Sequence, residues 1–293
     1  MPSSLMLVFM VIFFLESLAA MLQNGFMAAV LCREWARGRA LPTGDMIVAC
    51  LAASRLCVHG TAIVNNLLAS FVLCCNFHYF NVLWDFTNTL MFWLTAWLAV
   101  FYCVKISSFS HPVFVWLKWR ISRMVPKLLQ GSLALSVLSL ISSITTNTMF
   151  AEITASQDSQ GNNTLAVTLR TFHQHYFLSH MVVVVSIPFL LFLVSTLLLM
   201  FSLRRHLGQM RNRKPGPCDP STQAHTTALK SLTFFLISYT SYFLFLIIST
   251  LRLAIYNHWH WVWEAVTYTG LSLHSTILVL SSPKLRKALK GRL

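Results

Sequence analysis

The strongest constraint on the fold of this chain is a series of long apolar stretches. An α-helix rises about 1.5 Å per residue, so about 20 apolar residues cross the roughly 30 Å hydrocarbon core of a bilayer. Seven stretches meet this requirement. The sequence therefore predicts an all-α membrane protein in which residues 1–293 form one bundle of seven transmembrane helices, with approximate spans 5–31, 46–73, 80–104, 128–150, 179–203, 231–256 and 262–282 and a tail at 283–293.

The composition agrees with a chain that lies mostly in lipid. Only 10% of its 293 residues are charged, whereas soluble domains carry about 25%. The net charge of +14 does not indicate nucleic-acid binding, because the basic residues fall in short blocks between apolar runs rather than on one solvated face. The longest connections, of about 28 residues, are too short to bury a separate soluble core.

The distribution of lysine and arginine predicts the orientation. Nineteen of the 22 basic residues lie in segments 32–45, 105–127, 204–230 and 283–293. Loops rich in these residues stay on the cytoplasmic side of a membrane. We therefore expect an extracellular N-terminus and a cytoplasmic tail, which also has the helical spacing of a short amphipathic helix along the inner leaflet. The glycosylation sequon at Asn162 falls in segment 151–178, which this orientation places outside.

Polar residues at similar depth in three spans predict an inner polar layer. Ionisable groups inside a membrane are costly and are usually paired. Arg55 therefore needs acceptors, and Asn24, Ser275 and nearby carbonyls lie at a depth that can supply them, with His274 beside Ser275. Two interpretations remain open. The layer is either a packing lock between the first, second and seventh helices or a switch whose bonds differ between two states.

A second polar layer lies near the outer ends of the spans. Trp84 and Asn88 are four residues apart and share one face of the third helix. Aromatic walls with a few convergent polar groups form small-molecule pockets. Interfacial tryptophans also serve as membrane anchors, so both interpretations stay open for these residues. The candidate ligand-binding residues are Trp84, Asn88, Glu264, Asp85, Asn66, His180 and Tyr242.

No catalytic motif accompanies these layers. The sequence lacks GxSxG, HExxH, P-loop and GxGxxG patterns, so it favours neither an enzyme nor a cofactor. The HxH pairs at 173–175 and 258–260 have no nearby third ligand, which argues against a metal site. A small-solute transporter or channel is the alternative. Transporters usually contain repeats with paired broken helices, and channels a filter or a ring of charges; neither is evident here.

Several long motifs resemble the type 2 (bitter) taste receptors, which are seven-helix receptors coupled to G proteins. The resemblance covers essentially the whole chain. It rests on LAASR at 51–55, FSHPVFVWLKWRIS at 109–122, DPSTQAHTTALKSL at 219–232 and HSTILVLSSPKLRKAL at 274–289. Rhodopsin-like receptors differ, because Phe101-Tyr102-Cys103 stands where they have D/ERY and HSTIL where they have NPxxY. The inner motifs also argue against a pheromone-type receptor.

The resemblance implies an agonist site in the outer half of the bundle, with Trp84, Asn88 and Glu264 among its contacts. It also implies a gustducin-like, inhibitory-class G protein as partner and a plasma-membrane location. The switch residues are then expected to be Asn24, Arg55, Tyr102, His274 and Ser275. The residues expected to face the G protein or anionic lipid headgroups are Lys105, His111, Pro112, Lys118, His225 and Lys230. Membrane anchoring alone is the alternative role for this inner surface.

Overall fold

A computed structural model describes the protein over residues 4–38, 40–70, 77–109, 111–157, 163–213, 220–250 and 256–291. Almost all of this part of the chain is helical, apart from short connections. A helix satisfies its own backbone hydrogen bonds, which is what an apolar segment requires in lipid. The eight helices are α1 (Ser4–Ala36), α2 (Thr43–Ser70), α3 (Phe77–Ile106), α4 (Pro112–Gln157), α5 (Asn163–Arg213), α6 (Pro220–Thr250), α7 (Tyr256–Ser281) and α8 (Pro283–Lys290).

Six of these helices are long and apolar enough to cross a membrane by length and composition. They are the described parts of α1 to α6. The helix α7, which covers most of the predicted seventh span, is not among them. Its sequence YNHWHWVWEAVTYTGLSLHSTILVLS interrupts the apolar run with polar side chains. The fold class is thus an all-helical membrane bundle, and the crossing by α7 stays a prediction.

Two of the helices are much longer than the apolar spans. The helix α4 begins at Pro112, within the predicted inner segment 105–127, and α5 begins at Asn163, within the predicted outer segment 151–178. The prediction that segments 105–127 and 151–178 are connections along their whole length is therefore wrong. Hydropathy marks only the part of a helix that lies in hydrocarbon, whereas the backbone continues as a helix into the interface and beyond it.

The helices pack so that α3 lies between several neighbours. It contacts α2, α4 and α5, while α1 contacts α2 and α7, and α6 contacts α5 and α7. The largest fully buried side chains include Arg55, Tyr239, Tyr242 and Phe92. Apolar side chains also cover the outside of the bundle; Leu22 on α1, for example, is 77% exposed. A polar, aromatic interior inside an apolar exterior is what a lipid solvent favours.

A close approach of α6 and α7 occurs at Gly270. A Cβ atom built on this glycine would lie 3.0 Å from the Cβ atom of Ser238. Small residues at helix interfaces let the backbones approach closely. The contact therefore fixes the spacing of α6 and α7 near the middle of both helices.

The predicted amphipathic tail helix is confirmed as α8. The Ser282 hydroxyl accepts a hydrogen bond from the Leu285 backbone N–H at 3.4 Å, and Pro283 follows at the first helical turn. Both are typical helix-start features. Leu285 is buried, and the Lys284 Nζ atom donates to the Asp45 Oδ2 atom of α2 at 3.0 Å. These contacts hold α8 against the bundle beside the start of α2.

Candidate functional site: two polar layers and an inner cavity

The inner polar layer contains a chain of hydrogen bonds that links three helices. The Arg55 Nη1 atom of α2 donates to the Ser275 Oγ atom of α7 at 3.0 Å. The Ser275 hydroxyl donates in turn to the Asn24 Oδ1 atom of α1 at 3.1 Å. All three side chains are fully buried. The contacts that the depth of these residues predicts are present, while their role as a switch stays a prediction.

His274 lies beside this chain but makes a different contact. Its ring stacks on Phe235 of α6, with the ring centroids 3.4 Å apart and the planes 15° apart. Adjacent residues on α7 therefore face different partners. Ser275 joins α7 to α1 and α2, and His274 joins it to α6. A shift of α6 relative to α7 would disturb the second contact directly.

The outer polar layer links α3 to α6 and α7. The Tyr242 hydroxyl donates to the Asn88 Oδ1 atom at 2.5 Å, and both side chains are buried. The Trp84 Nε1–H group donates to the Tyr268 hydroxyl at 3.1 Å. Trp84 and Asn88 thus share one face of α3, as their spacing predicts, and each is held by an aromatic residue of a neighbouring helix.

The other candidate ligand-binding residues are spread over a wider region. Glu264 is buried on α7, one helical turn from Tyr268. The Asn66 Oδ1 atom of α2 lies 3.1 Å from the His260 Nε2 atom of α7. Asp85 faces α4, where its Oδ2 atom accepts a hydrogen bond from the Ser143 hydroxyl at 3.4 Å.

His180 is half-buried on α5. The contact of Asp85 with Ser143 shows that Asp85 points to a different neighbour from Trp84 and Asn88. Adjacent residues on a helix lie about 100° apart, which accounts for the difference.

A cavity of about 930 Å³ opens at the end of the bundle where α8 packs, between α3, α5, α6, α7 and α8. Its walls are mostly apolar. Thr95, Tyr102, His274 and Arg286 are among the residues that line it. The cavity therefore reaches two of the predicted switch residues, Tyr102 and His274.

Several residues predicted to face the G protein are held by local contacts at the inner surface. The Lys105 Nζ atom donates to the Lys118 carbonyl oxygen at 3.3 Å. The His111 Nδ1 atom accepts from the Val113 N–H group at 3.3 Å, immediately before α4 and beside Pro112. These contacts fix the connection between α3 and α4.

The α5–α6 side of the same surface carries the remaining two predicted residues. The ring of His225 on α6 meets His206 of α5 edge to face, with centroids 5.3 Å apart. Lys230 is exposed on α6. Asn162, the predicted glycosylation site, lies outside the described residues.

Sequence reasoning did not find some of the residues that shape these layers. Tyr268 follows Glu264 by one turn of α7, and this spacing could have placed both on one face. His59 follows Arg55 by one turn of α2 and is also fully buried. The Asp45–Lys284 pair joins residues 239 positions apart, and nothing in the sequence pattern indicates it.

The sequence matches that of known proteins over its full length. Residues 1–293 match the family described as Taste receptor protein (TAS2R). Taste receptor type 2 member 134 of Rattus norvegicus is 60% identical, over 98% of this chain and 86% of its own length. Member 143 of the same species is 58% identical over the whole of both chains. Member 62 of Pan paniscus is 59% identical over 99% of this chain and 93% of its own.

Membership of this family implies ligand binding and coupling to a G protein, and it points to a receptor rather than an enzyme. Together with the six apolar helices, it indicates a multi-pass protein of the plasma membrane. The chain belongs to the type 2 (bitter) taste receptor family.

Proposed function

We propose that small bitter agonists bind in the outer half of the bundle, against Trp84, Asn88, Tyr242 and Glu264. The observation that carries the proposal is the pair of hydrogen bonds in the outer layer, one between α3 and α6 and one between α3 and α7. The inner halves of these same three helices line the cytoplasmic cavity. An agonist that competes for the Trp84 and Asn88 side chains would therefore change the spacing of helices that also form the cavity.

The topology in this proposal has seven spans, an extracellular N-terminus and a cytoplasmic tail. The block distribution of lysine and arginine supports it. The helix α7 has 26 residues and is about 39 Å long, which exceeds the roughly 30 Å hydrocarbon core. It packs against α1 and α6, so its polar side chains are shielded from lipid. One receptor domain then accounts for residues 1–293.

The mechanism is a shift between two bundle arrangements. Agonist binding can shift this equilibrium only by the difference in affinity for the two states. In the proposed change, the bonds among Arg55, Ser275 and Asn24 rearrange, and α6 moves away from His274 near 225–232. The stacking of Phe235 on His274 supports α6 as the moving element, because that contact is apolar and carries no hydrogen bond between the two rings.

The partner at the cytoplasmic cavity is a gustducin-like, inhibitory-class G protein. The cavity volume and its apolar walls suit an inserted helix with an apolar face. Around it, Lys105, Lys118 and Lys230 supply positive charge that would complement an acidic partner. The proposed contact surface also includes His111 and Pro112, where α4 begins, and His225 in the first turns of α6.

Membrane lipids are the second proposed partner of this inner surface. Trp119 is 82% exposed, and the Arg120 guanidinium lies 5.0 Å from the ring centroid of Trp116. Exposed tryptophans beside cations suit the headgroup region of an anionic leaflet. These side chains would hold the start of α4 at the interface while the G protein binds next to them.

The test is calcium release in cells that express the receptor with a promiscuous Gα subunit, challenged with a panel of bitter compounds. We expect Trp84→Ala to raise the agonist concentration for half-maximal response at least tenfold at equal surface expression. Trp93→Ala is the matched control, because Trp93 lies on α3 but stacks on Trp97 instead. Equal responses of the two variants would move the agonist site. Silence of the wild type across the panel, with surface expression confirmed, would indicate a narrowly tuned receptor and would make the transport alternative worth testing.

The coupling class needs a separate measurement. Purified receptor with agonist should accelerate nucleotide exchange on a gustducin-like Gα subunit at least tenfold more than on a stimulatory Gα subunit. The same rate on both subunits would contradict the proposed inhibitory-class selectivity without affecting the agonist site.

A further inference from the structure

The inner polar layer has more hydrogen-bond donors than it can satisfy. Arg55 is fully buried, and its guanidinium carries five N–H groups. Its Nη1 atom donates to Ser275, but its Nε and Nη2 atoms have no partner among the described residues. No carboxylate in the described part of the chain forms an ion pair with Arg55. A buried cation left this way costs several kcal/mol.

Two further buried side chains, on α2 and α3, carry nitrogen atoms without a partner in the described part of the chain. His59, one turn from Arg55 on α2, has both ring nitrogens without a partner among the described residues. A histidine ring carries at least one N–H group. The Asn88 Nδ2 atom is also without a partner in the described structure. The His59 ring meets the Tyr268 ring with centroids 5.1 Å apart, and Tyr268 meets Tyr242, the residue bonded to Asn88, at 6.5 Å.

The three side-chain oxygens that join the helices in the two polar layers already accept hydrogen bonds. The Asn24 Oδ1 atom accepts from Ser275, the Ser275 Oγ atom from Arg55, and the Asn88 Oδ1 atom from Tyr242. The buried Tyr239 hydroxyl also lacks a partner among the described residues, but it is neutral, so no described side chain of the layer balances the positive charge of the guanidinium. A water molecule can accept from the guanidinium but leaves this charge unbalanced. An anion without hydrogens both accepts the donors and neutralises the guanidinium.

We propose that the donors of Arg55, His59 and Asn88 form a binding site for a small inorganic anion, with chloride as the physiological ligand. The three side chains come from α2 and α3, and Tyr242 of α6 lies beside them. A bound halide therefore ties these helices together at the level between the two polar layers. This inference concerns the stability of the bundle; the site shares Asn88 with the proposed agonist site, but its test uses no agonist.

The experiment measures thermal unfolding of the purified receptor in sodium chloride and in sodium gluconate at the same ionic strength. Gluconate is too large for a buried site of this kind. A ligand that binds only the folded state stabilises it by RT ln(1 + [L]/Kd). We expect a higher melting temperature in chloride, with an equal increment for each tenfold rise in chloride above Kd. Bromide should substitute for chloride.

Arg55→Met should abolish the difference between chloride and gluconate. Lys290→Met is the matched control, because it removes one exposed cation from α8 and should keep the difference unchanged. His59→Phe keeps the aromatic shape and the Arg55 charge, so it serves if Arg55→Met does not fold. It should raise the chloride concentration needed for a given stabilisation at least threefold.

Halide NMR provides a direct reading of binding, since exchange with a protein site broadens the chloride signal. We expect broadening by the wild-type receptor and by Lys290→Met that bromide competes away. Equal melting temperatures of the wild type in chloride and gluconate would overturn the proposal. The same halide dependence in Arg55→Met, or in His59→Phe when Arg55→Met is not folded, would also overturn it.

Discussion

Ser275 is the residue whose loss should weaken the inner layer most for the smallest change in volume. Replacement by alanine removes one hydroxyl group, but this group makes two inter-helix hydrogen bonds, one from Arg55 and one to Asn24. A hydrogen bond to a charged group contributes about 2 kcal/mol, and a neutral one about 1 kcal/mol. Both partners are fully buried. We therefore expect Ser275→Ala to lower the free energy of unfolding by about 3 kcal/mol.

The assay is thermal unfolding of the purified receptor in detergent or lipid discs. A loss of 1 kcal/mol lowers the melting temperature by about 2 °C in a chain of this size, so Ser275→Ala should lower it by about 6 °C. Ser272→Ala is the matched control. Its hydroxyl lies one turn earlier on α7 and donates only to the Tyr268 carbonyl oxygen of its own helix. A shift for Ser275→Ala no larger than that for Ser272→Ala would refute the reasoning.

Two further predictions concern helix spacing and the tail. Gly270→Ala should lower the melting temperature by about 2–6 °C, because overpacking costs about 1–3 kcal/mol and the new Cβ atom would lie 3.0 Å from Ser238. Gly208→Ala, with nothing within 4 Å of the added atom, should be neutral or slightly stabilising in the same assay. Asp45→Asn breaks the half-exposed pair with Lys284 and should lower the melting temperature by no more than about 2 °C, with the difference from wild type vanishing in high salt.

Much of the fold follows from the sequence because lipid imposes a simple rule on it. Apolar runs of sufficient length identify the helices. The similar depth of Arg55 and Ser275 in their spans predicts the contact that these two side chains make. Depth alone cannot give the direction in which a side chain points. Asp85 has the depth of Trp84 and Asn88, yet it faces Ser143 of α4. The rotation of each helix about its axis depends on packing that one sequence does not encode locally.

Residues outside the hydrocarbon core were harder to predict for a related reason. The backbone of α5 runs over 51 residues, while its apolar span accounts for about half of them. Beyond the lipid, polar residues continue the helix with no change in hydropathy that would mark its end. The contact between Asp45 and Lys284 belongs to this region as well. It depends on where α8 docks, and that position follows from the assembled bundle.

The close approach at Gly270 has a mechanical consequence. Ser238 lies 18 residues from Pro220, the first residue of α6, so the arm between this fulcrum and the inner end of the helix is about 27 Å long. Pivoting α6 by about 10° there would swing its inner end sideways by about 5 Å, with hardly any displacement at the fulcrum itself. Because Gly270 has no side chain beyond hydrogen, α6 and α7 approach closely enough there to form a pivot. A slight rotation about this pivot would move the inner end of α6 by about the height of one helical turn.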